Sequence, residues 1–293
     1  MSGGARPPQD ATARELHEWA AAILKASGVE NARQEADWLL REALDPGAAP
    51  VGRLARLTAR QVERFDGMVA RRAAREPLQH VIGRWPFLDL ELKVDRRALA
   101  PRPETEDLAL AARGHLASVR PTLVADVGTG GGCIALAVAA AHPSAQVVAI
   151  DIDADALGLA RENRALTRME ERITLVRGDL LAPVAPRAPF DLVVANLPYV
   201  REDEYESLAP EVRLFDPRQA LVAADGGLAQ IRRLLPQAAE RLRPGGWLLL
   251  EMSPLQTRVI AAALRSQPAR WESVAILRDR FERERIVEAQ RSA

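Results

Sequence analysis

From Pro121 to the C-terminus, short apolar runs typical of β-strands alternate with longer segments of helical periodicity. A chain that alternates in this way folds as a parallel sheet with helices packed on its faces. The alternation therefore predicts an α/β fold. The predicted strands cover residues 124–127, 147–151, 173–176, 190–195, 247–251, 271–277 and 284–290.

The last two predicted strands are joined differently from the others. Only a short polar link, Arg278 to Arg283, separates them, with no intervening helix. A parallel neighbour needs a crossover of about a dozen residues or more. We therefore expect these two strands to be antiparallel, at the end of a doubly wound, mostly parallel seven-stranded sheet.

The N-terminal part has no strand pattern and predicts a small helical domain. Apolar residues recur at helical spacing from Leu16 to Leu24 and from Ala36 to Leu44, where Asp45-Pro46-Gly47 ends the pattern. A third helix is predicted from Thr58, which forms a capping box with Gln61.

These patterns predict a helical domain over 1–83, a β-hairpin or connector over 84–103, and an α/β domain over 104–293. Two large aromatic residues of the first domain, Trp19 and Trp38, are expected in its core.

The first candidate site is the glycine-rich loop between the first α/β strand and its helix. It comprises Asp126, Gly128, Thr129, Gly130, Gly131 and Gly132. Glycine lets a ligand approach the backbone closely, but Cys133 occupies the last position of the dinucleotide-binding pattern. A carboxylate at this strand end repels a pyrophosphate and attracts an ammonium group, which favours S-adenosylmethionine over NAD. The alternative is a strand-to-helix turn that binds no ligand.

Three residues after the next two strands are candidates for the rest of the same ligand. Asp151 lies 19 residues beyond Gly132, where an acidic residue commonly binds a ribose hydroxyl pair. Asp179, followed by Leu180, is placed where an adenine edge would lie. The alternatives are a helix N-cap for Asp151 and an ordinary loop aspartate for Asp179.

The second candidate site is Asn196-Leu197-Pro198-Tyr199, directly after the fourth α/β strand. The Asn196 carboxamide and the Leu197 carbonyl offer two acceptors, which suit a planar NH₂ group. Tyr199 offers a ring face for a flat amide or base. Accepting both N–H hydrogens raises the electron density of an amide nitrogen and aims it at a methyl donor. The alternative is an ordinary Asn-x-Pro turn.

Charge and composition narrow the class of partner. The chain of 293 residues has 40 Lys and Arg against 40 Asp and Glu, without the basic excess of most nucleic-acid-binding proteins. We expect no direct nucleic-acid substrate, no membrane span and, with Cys133 as its single cysteine, a cytoplasmic protein. The four histidines have no metal-ligand spacing, so no metal site is expected.

Several motifs follow one another in a recognisable order: Pro77–Gly83, Phe87, Pro101-Arg102-Pro103-Glu104-Thr105-Glu106, the glycine loop and the Asn-x-Pro-Tyr site. In these motifs and their order the chain resembles the protein-(glutamine-N5) methyltransferases of peptide chain release factors, the HemK/PrmC family. The resemblance implies a class I S-adenosylmethionine-dependent methyltransferase fold. It also implies transfer of a methyl group to the glutamine of a Gly-Gly-Gln loop, with the helical domain recognising the release factor.

Two positions depart from the family pattern. Leu197 replaces the first proline of Asn-Pro-Pro-Tyr, although the backbone carbonyl that would accept a hydrogen bond is retained. Met252-Ser253-Pro254 stands where the family tends to have a glycine.

Two other functions remain open from the residues. An adenine amino group makes the same demands on an Asn-x-Pro-Tyr site, as in adenine-N6 methyltransferases of DNA or RNA. A non-catalytic cofactor-binding subunit would also keep the glycine loop. Arg71, Arg72 and Arg75 are expected on a solvated helix face, or in contact with a partner.

Overall fold

The computed structural model describes residues 7, 11–44, 52, 55–116, 122–184 and 189–293. Backbone contacts divide the chain into two units. The helical unit comprises 1–83 together with 209–215, and the sheet unit comprises 84–208 and 216–293. The helical unit is therefore discontinuous in sequence.

The helical unit contains the helices that the apolar stripes predicted. Its helices are α1 (Ala13–Ala26), α2 (Ala32–Ala43), α3 (Ala59–Ala73), α4 (Leu78–Ile82) and, from the inserted segment, α8 (Pro210–Phe215). Thr58 and Gln61 form the predicted capping box at the start of α3. The predicted stop at Asp45–Gly47 lies outside the described residues.

The core of this unit includes Leu16, Leu39 and Phe65. Trp19 is half-buried, and its ring centroid lies 6.0 Å from that of Phe65. The prediction that Trp38 lies in the core is wrong, because its side chain is exposed. Trp38 is one residue off the buried stripe of α2, and one residue turns the side chain by about 100° around the helix.

The prediction of a solvated arginine face on α3 is wrong for Arg72, which is only 5% exposed. Its guanidinium contacts Glu35 at 2.5 Å and Glu211 at 2.9 Å, and Glu211 also contacts Arg75 at 2.7 Å. Glu211 belongs to the inserted segment 209–215. These ion pairs bind that segment to α3.

The sequence Val81-Ile82-Gly83 alternates like a strand, as Phe87–Val94 does, and so predicts a strand that the structure does not have. Val81 lies in α4, which begins after Pro77 and ends at Gly83 in the left-handed conformation. The strand-like hairpin begins only afterwards, with β1 (Arg84–Phe87) antiparallel to β2 (Leu90–Lys93). Three residues are too few to distinguish a strand from one helical turn.

The main sheet contains seven strands within the described ranges. They are β3 (Thr122–Val127), β4 (Ala145–Asp151), β5 (Ile173–Arg177), β6 (Phe190–Asn196), β7 (Leu242–Glu251), β8 (Trp271–Arg278) and β9 (Glu284–Arg291). The strand order is β5-β4-β3-β6-β7-β9-β8. Every neighbouring pair from β5 to β7 is parallel, and β9 is antiparallel to both β7 and β8. This topology confirms the predicted fold class.

Helices of the sheet unit connect these strands. They are α5 (Pro103–His115), α6 (Cys133–Ala141), α7 (Ala154–Leu166), α9 (Ala224–Gly227), α10 (Ala229–Arg241) and α11 (Pro254–Arg265), with 3₁₀ turns at Glu202–Ser207 and Arg218–Ala220. Among the described residues, no helix combines the length and apolar character needed to cross a membrane. The chain leaves β3 in one direction across the sheet and β6 in the other, so a crevice opens at the carboxyl ends of these two strands.

Candidate active site

A cavity opens at the carboxyl ends of β3, β4 and β6 and brings most of the predicted site residues together. It holds about 1210 Å³ of empty space, its open mouth included. The predicted residues that line it are Gly128, Thr129, Gly130, Gly131, Asp151, Asp179, Leu180, Asn196, Leu197 and Pro198. Asp126, Gly132 and Tyr199 lie behind this lining.

The glycine loop is held open by its own backbone geometry. The amides of Gly128 and Thr129 both donate to the Ile150 carbonyl, at 2.8 and 2.9 Å. Gly128 has a φ of +76°, and a Cβ placed on it would lie 2.9 Å from the Leu197 side chain. Glycine is required here because an L side chain would be both strained and crowded.

Asp126 supports the loop from below and is fully buried. Its Oδ2 accepts from the Thr129 hydroxyl at 2.6 Å and from the Ala135 amide at 3.0 Å. Its Oδ1 is also buried and accepts no hydrogen bond from the described residues. Burial raises the pKa of Asp126 to about 7, although the bond from Thr129 lowers it. The free oxygen is an acceptor that a cation near the loop would satisfy.

Asp151 lines the cavity at the end of β4 with its carboxylate already oriented. Oδ2 accepts from the Gly130 amide at 2.8 Å, and Oδ1 accepts from the Asp153 amide at 2.9 Å. A carboxylate has about four acceptor positions, so both oxygens can still accept from a hydroxyl pair. Burial raises the pKa of Asp151, and the two amide bonds oppose this effect.

Asp179 and Leu180 line the part of the cavity near β5. The Asp179 carboxylate forms an ion pair with Arg233 of α10. Leu180 is buried and has a φ of +52°, a strained value for a leucine. An apolar wall beside a paired carboxylate suits a flat base with a polar edge.

Asn196 ends β6 and presents its carboxamide at the cavity wall. Its Nδ2 donates to the Thr105 hydroxyl at 3.0 Å, and that hydroxyl donates to Oε2 of Glu251 at 2.9 Å. The amide nitrogen is therefore occupied, and Oδ1 remains as the acceptor. The Glu251 carboxyl is 2% exposed, and burial raises its pKa to about 7 while the Thr105 bond lowers it.

The next three residues shape the same wall. Leu197 is buried in the main core, and its side chain reaches the space beside Gly128. Pro198 lines the cavity, whereas Tyr199 turns its hydroxyl towards Glu251 at 3.5 Å. Burial raises the pKa of the Tyr199 phenol, which stays protonated at neutral pH.

Three residues of this site carry no role in the sequence analysis. Thr105 and Glu251 hold Asn196, and Gln256 of α11 donates from Nε2 to the Tyr199 carbonyl at 2.9 Å. Thr105 lies inside the Pro101–Glu106 motif, so the motif itself was the available signal. Gln256 belongs to a capping box with Ser253, which gives the departure at Met252–Pro254 a structural role.

The acidic residues that flank Thr105 hold the first turn of α5 in place. Glu106 and Asp107 each contact Arg280 at 2.9 Å, and Glu104 lies 3.6 Å from Arg283. Both arginines belong to the turn between β8 and β9. The motif thus anchors α5 with its carboxylates and reaches the site with its hydroxyl.

Other candidate chemistries find no support in the described part of the chain. No group of three or more His, Cys, Asp or Glu residues there could hold a metal ion. Cys133 starts α6, and burial raises the pKa of its thiol, which disfavours the thiolate that a nucleophile needs.

Comparisons with known proteins identify both parts of the chain. A model of the PrmC N-terminal domain matches residues 15–83, and a model of the methyltransferase small domain matches residues 114–230. The release factor glutamine methyltransferase of Geobacter sulfurreducens is 39% identical, covering 86% of this chain and 88% of the relative. That of Deinococcus radiodurans is 44% identical over 76% of this chain and 78% of the relative. That of Rhodopirellula baltica is 33% identical over 96% and 97%.

The chain belongs to the release factor glutamine methyltransferase family.

Solved structures support the methyltransferase fold of this family member at lower identity. The catalytic domain of hMettl16, in complex with the MAT2A 3'UTR hairpin 6, has a TM-score of 0.56 at 19% identity, covering 77% of this chain and 81% of that one. A methyltransferase from Pyrococcus furiosus has a TM-score of 0.52 at 18% identity, covering 70% and 91%. At these identities the likeness concerns the fold alone.

This methyltransferase uses S-adenosylmethionine, and its cavity fits that cofactor. The buried Oδ1 of Asp126 lacks a partner among the described residues, and the loop above it has no side chain at Gly128 or Gly130. Asp151 retains acceptor positions for two hydroxyl groups. The residues present therefore match an ammonium group, a ribose and an adenine.

Proposed function

We propose that this protein transfers a methyl group to the side-chain amide nitrogen, N5, of the glutamine in the Gly-Gly-Gln motif of peptide chain release factors. The observation that carries the proposal is the orientation of Asn196. Its Nδ2 is engaged by Thr105, and Oδ1 remains as an acceptor at the wall of the cofactor cavity. Membership of the family supplies the substrate class.

The cavity would hold the cofactor, which when bound would supply an electrophilic methyl group. The residues assigned to it are Asp126, Gly128, Thr129, Gly130, Gly131, Gly132, Asp151, Asp179, Leu180 and Asn196. Asp126 acts from beneath the loop, by shaping it and placing negative charge there. Asp151 binds the ribose, and Asp179 with Leu180 binds the adenine.

Asn196 and the Leu197 carbonyl hold the acceptor glutamine, and Pro198 and Tyr199 shape the slot. An amide nitrogen is a weak nucleophile because its lone pair is delocalised into the carbonyl. Oδ1 of Asn196 and the Leu197 carbonyl each accept one N–H, which favours electron density on nitrogen and fixes its direction. Transfer would form the N5–CH₃ bond, break the methyl–sulfur bond of the donor and release one of the two N–H protons. Catalysis is then positioning combined with electrostatic stabilisation, and the protein forms no covalent intermediate.

The helical domain, residues 1–83, is assigned to recognition of the rest of the release factor. The match to the PrmC N-terminal domain over residues 15–83 supports this assignment. Residues 84–103 connect it to the methyltransferase domain, 104–293, and β1 and β2 form the hairpin of this connector. The balanced charge of 40 basic and 40 acidic residues favours a protein substrate over a nucleic acid.

Single-turnover transfer of labelled methyl to a purified release factor tests the proposal. We expect label on the wild-type factor and none on a factor whose Gly-Gly-Gln glutamine is replaced by alanine. Equal label on both factors would contradict the proposal. Label on an adenine-containing oligonucleotide instead would identify an adenine-N6 methyltransferase, and absence of any transfer would favour a non-catalytic subunit.

A further inference from the structure

Three buried or half-buried groups from distant parts of the chain form one hydrogen-bonded chain beside the cavity. Asn196 ends β6, Thr105 lies in the first turn of α5, and Glu251 ends β7. The bonds run from Nδ2 of Asn196 to the Thr105 hydroxyl, 3.0 Å, and from that hydroxyl to Glu251, 2.9 Å. Thr105 is 4% exposed and Glu251 is 2% exposed.

The number of hydrogens available in this hydrogen-bonded chain fixes which end of the Asn196 amide faces Thr105. A threonine hydroxyl has one hydrogen, and here the Glu251 carboxylate receives it. Towards Asn196 the hydroxyl can therefore only accept, so Asn196 must turn its NH₂ group to Thr105. The two ends of an amide have nearly the same shape, and the hydrogen-bond network decides which end faces where.

We propose that Thr105 and Glu251 form a polarity relay, which holds the Asn196 carbonyl oxygen towards the acceptor amide. The inference rests on the proposed role of Asn196 and adds two positioning residues to it. With the relay reversed, Thr105 would donate to Oδ1, and Asn196 would present NH₂ to the NH₂ of the substrate. Two N–H donors that face each other form no hydrogen bond, so the substrate nitrogen would not be held in position.

Protonation of Glu251 is the event that would reverse the relay. A neutral carboxyl can donate to the Thr105 hydroxyl, which frees the hydroxyl hydrogen for Asn196. Burial raises the pKa of Glu251 to about 7; the Thr105 bond, Arg285 and Tyr199 lower it, and Glu104 raises it. Cys133 also faces Glu251, as a neutral thiol. The relay should therefore switch as pH crosses about 7, with the productive polarity above that value.

The first test compares Thr105→Ser with Thr105→Val in the full-length protein. Serine keeps the hydroxyl, whereas valine keeps the shape and removes it. We expect single-turnover methylation at saturating cofactor to stay within a few-fold of wild type for Thr105→Ser. For Thr105→Val we expect a ~10–100-fold loss, as for partners that orient metal ligands. Cofactor affinity, measured by calorimetry, should be unchanged for Thr105→Ser and should change much less than the rate for Thr105→Val. Equal rates for the two variants would overturn the relay.

The second test follows Glu251 by pH. The wild-type single-turnover rate should rise through about pH 7 at saturating cofactor. Glu251→Gln retains an acceptor for Thr105 and cannot titrate, so its rate should be flat over pH 6–8. If the rate of Glu251→Gln still rose through about pH 7 as in wild type, the role of Glu251 would be contradicted. Cofactor affinity is measured over the same range, because Asp126 also has a pKa of about 7.

A measurement on the protein without any methyl-accepting substrate distinguishes failure of the relay from failure of the proposed function. The side-chain NH₂ signals of Asn196, assigned by their loss in Asn196→Ala, should shift with pH in wild type and not in Glu251→Gln. At one fixed pH above 7, the signals should be displaced from their wild-type positions in Thr105→Val and should keep those positions in Thr105→Ser. If these signals behave so while no release factor is methylated, the relay holds and the assigned substrate is wrong. If they do not respond, the relay is wrong whatever the substrate.

Discussion

At the scale of single residues, the site depends on a few polar atoms whose partners are already set. Asn196 has one amide end committed to Thr105 and one available, and Asp151 has both oxygens oriented by backbone amides. Because each side chain is preorganised for its own contact, removing Asn196 should mainly impair methyl transfer, and removing Asp151 should mainly impair cofactor binding.

Asn196→Ala tests the acceptor slot. The substitution removes the Oδ1 acceptor, so one N–H of the target glutamine stays unpaired in a desolvated site. We expect a ~10²–10³-fold loss in the single-turnover rate, by analogy with the deletion of one oxyanion-hole donor. Calorimetric titration should show a much smaller change in cofactor affinity. An undiminished rate would exclude Asn196 from the mechanism.

Asp151→Ala tests the ribose site. Loss of a charged acceptor for a hydroxyl pair should weaken cofactor binding by roughly 1.5–3 kcal/mol. Asp155→Ala is the matched control, because Asp155 follows in α7 and does not line the cavity. Calorimetry should give unchanged affinity for Asp155→Ala. Unchanged affinity for Asp151→Ala would contradict the assignment of Asp151 to the ribose.

Asp126 should make the cofactor-free protein less stable as pH rises. Its pKa is about 7 when folded and near its usual value of 3.8 when unfolded, so the folded state binds more protons between these values. The free energy of unfolding should therefore fall from pH 4 to pH 7, by ~4 kcal/mol at most for this group. Urea denaturation over this range should show a smaller fall for Asp126→Asn. An equal fall in both proteins would place the effect elsewhere, with Glu251 the first candidate.

At the scale of elements, the backbone at Tyr199 is held by the C-terminal end of α9 and by a side chain of α11. Gly227 has a φ of +83°, and a Cβ on it would lie 2.1 Å from the Tyr199 carbonyl oxygen. The Gln256 side chain donates to that same oxygen and to the Gly226 carbonyl, both at 2.9 Å. The close packing of α9 and α11 against the Tyr199 backbone therefore requires glycine at position 227.

Gly227→Ala should displace this loop, while Gly226→Ala serves as the matched control. Both glycines have positive φ, but a Cβ on Gly226 meets no heavy atom within 4 Å among the described neighbours. We expect Gly226→Ala to cost about 1 kcal/mol of stability and to keep the methylation rate. Gly227→Ala should lose more stability in thermal unfolding and most of the rate. Similar behaviour of the two variants would show that the backbone conformation matters and the close contact does not.

At the scale of the whole molecule, the chain is not divided at one point. Segment 209–215 leaves the sheet unit, joins the helical unit and returns at Asp216. Asp216 is itself held at 2.7 Å by Arg102, which belongs to the Pro101–Glu106 motif. A short segment downstream of Asn196–Tyr199 is therefore part of the helical unit.

Glu211→Gln tests how strongly this segment is held. The change removes one of the two carboxylate charges that contact Arg72, whose side chain is 6% exposed, and leaves Glu35 as the remaining one. We expect the helical unit to lose about 1.5–3 kcal/mol, the usual contribution of hydrogen bonds to charged groups. Hydrogen exchange of the α3 amides should report it. Glu18→Gln, which removes an exposed pair with Arg14, is expected to leave exchange unchanged. Equal exchange in the two variants would mean that the segment is held by other contacts.

The sequence by itself determined the fold class and the position of most strands. Strand and helix periodicities are local, so the runs at 173–176 and 190–195 coincide closely with β5 and β6. The short link at 278–283 predicted that β8 and β9 are antiparallel. The glycine loop and the Asn-x-Pro-Tyr site were found because each depends on neighbouring residues at the end of one strand.

The tertiary structure decided what depends on residues far apart in the chain. Thr105 meets Asn196 across 91 positions and Glu251 across 146, and nothing local to either partner indicates the pairing. The insertion of β9 between β7 and β8 and the burial of Arg72 have the same origin. In each case the stabilisation of the folded state comes from complementary groups that pair away from water. Only the folded chain determines which groups meet.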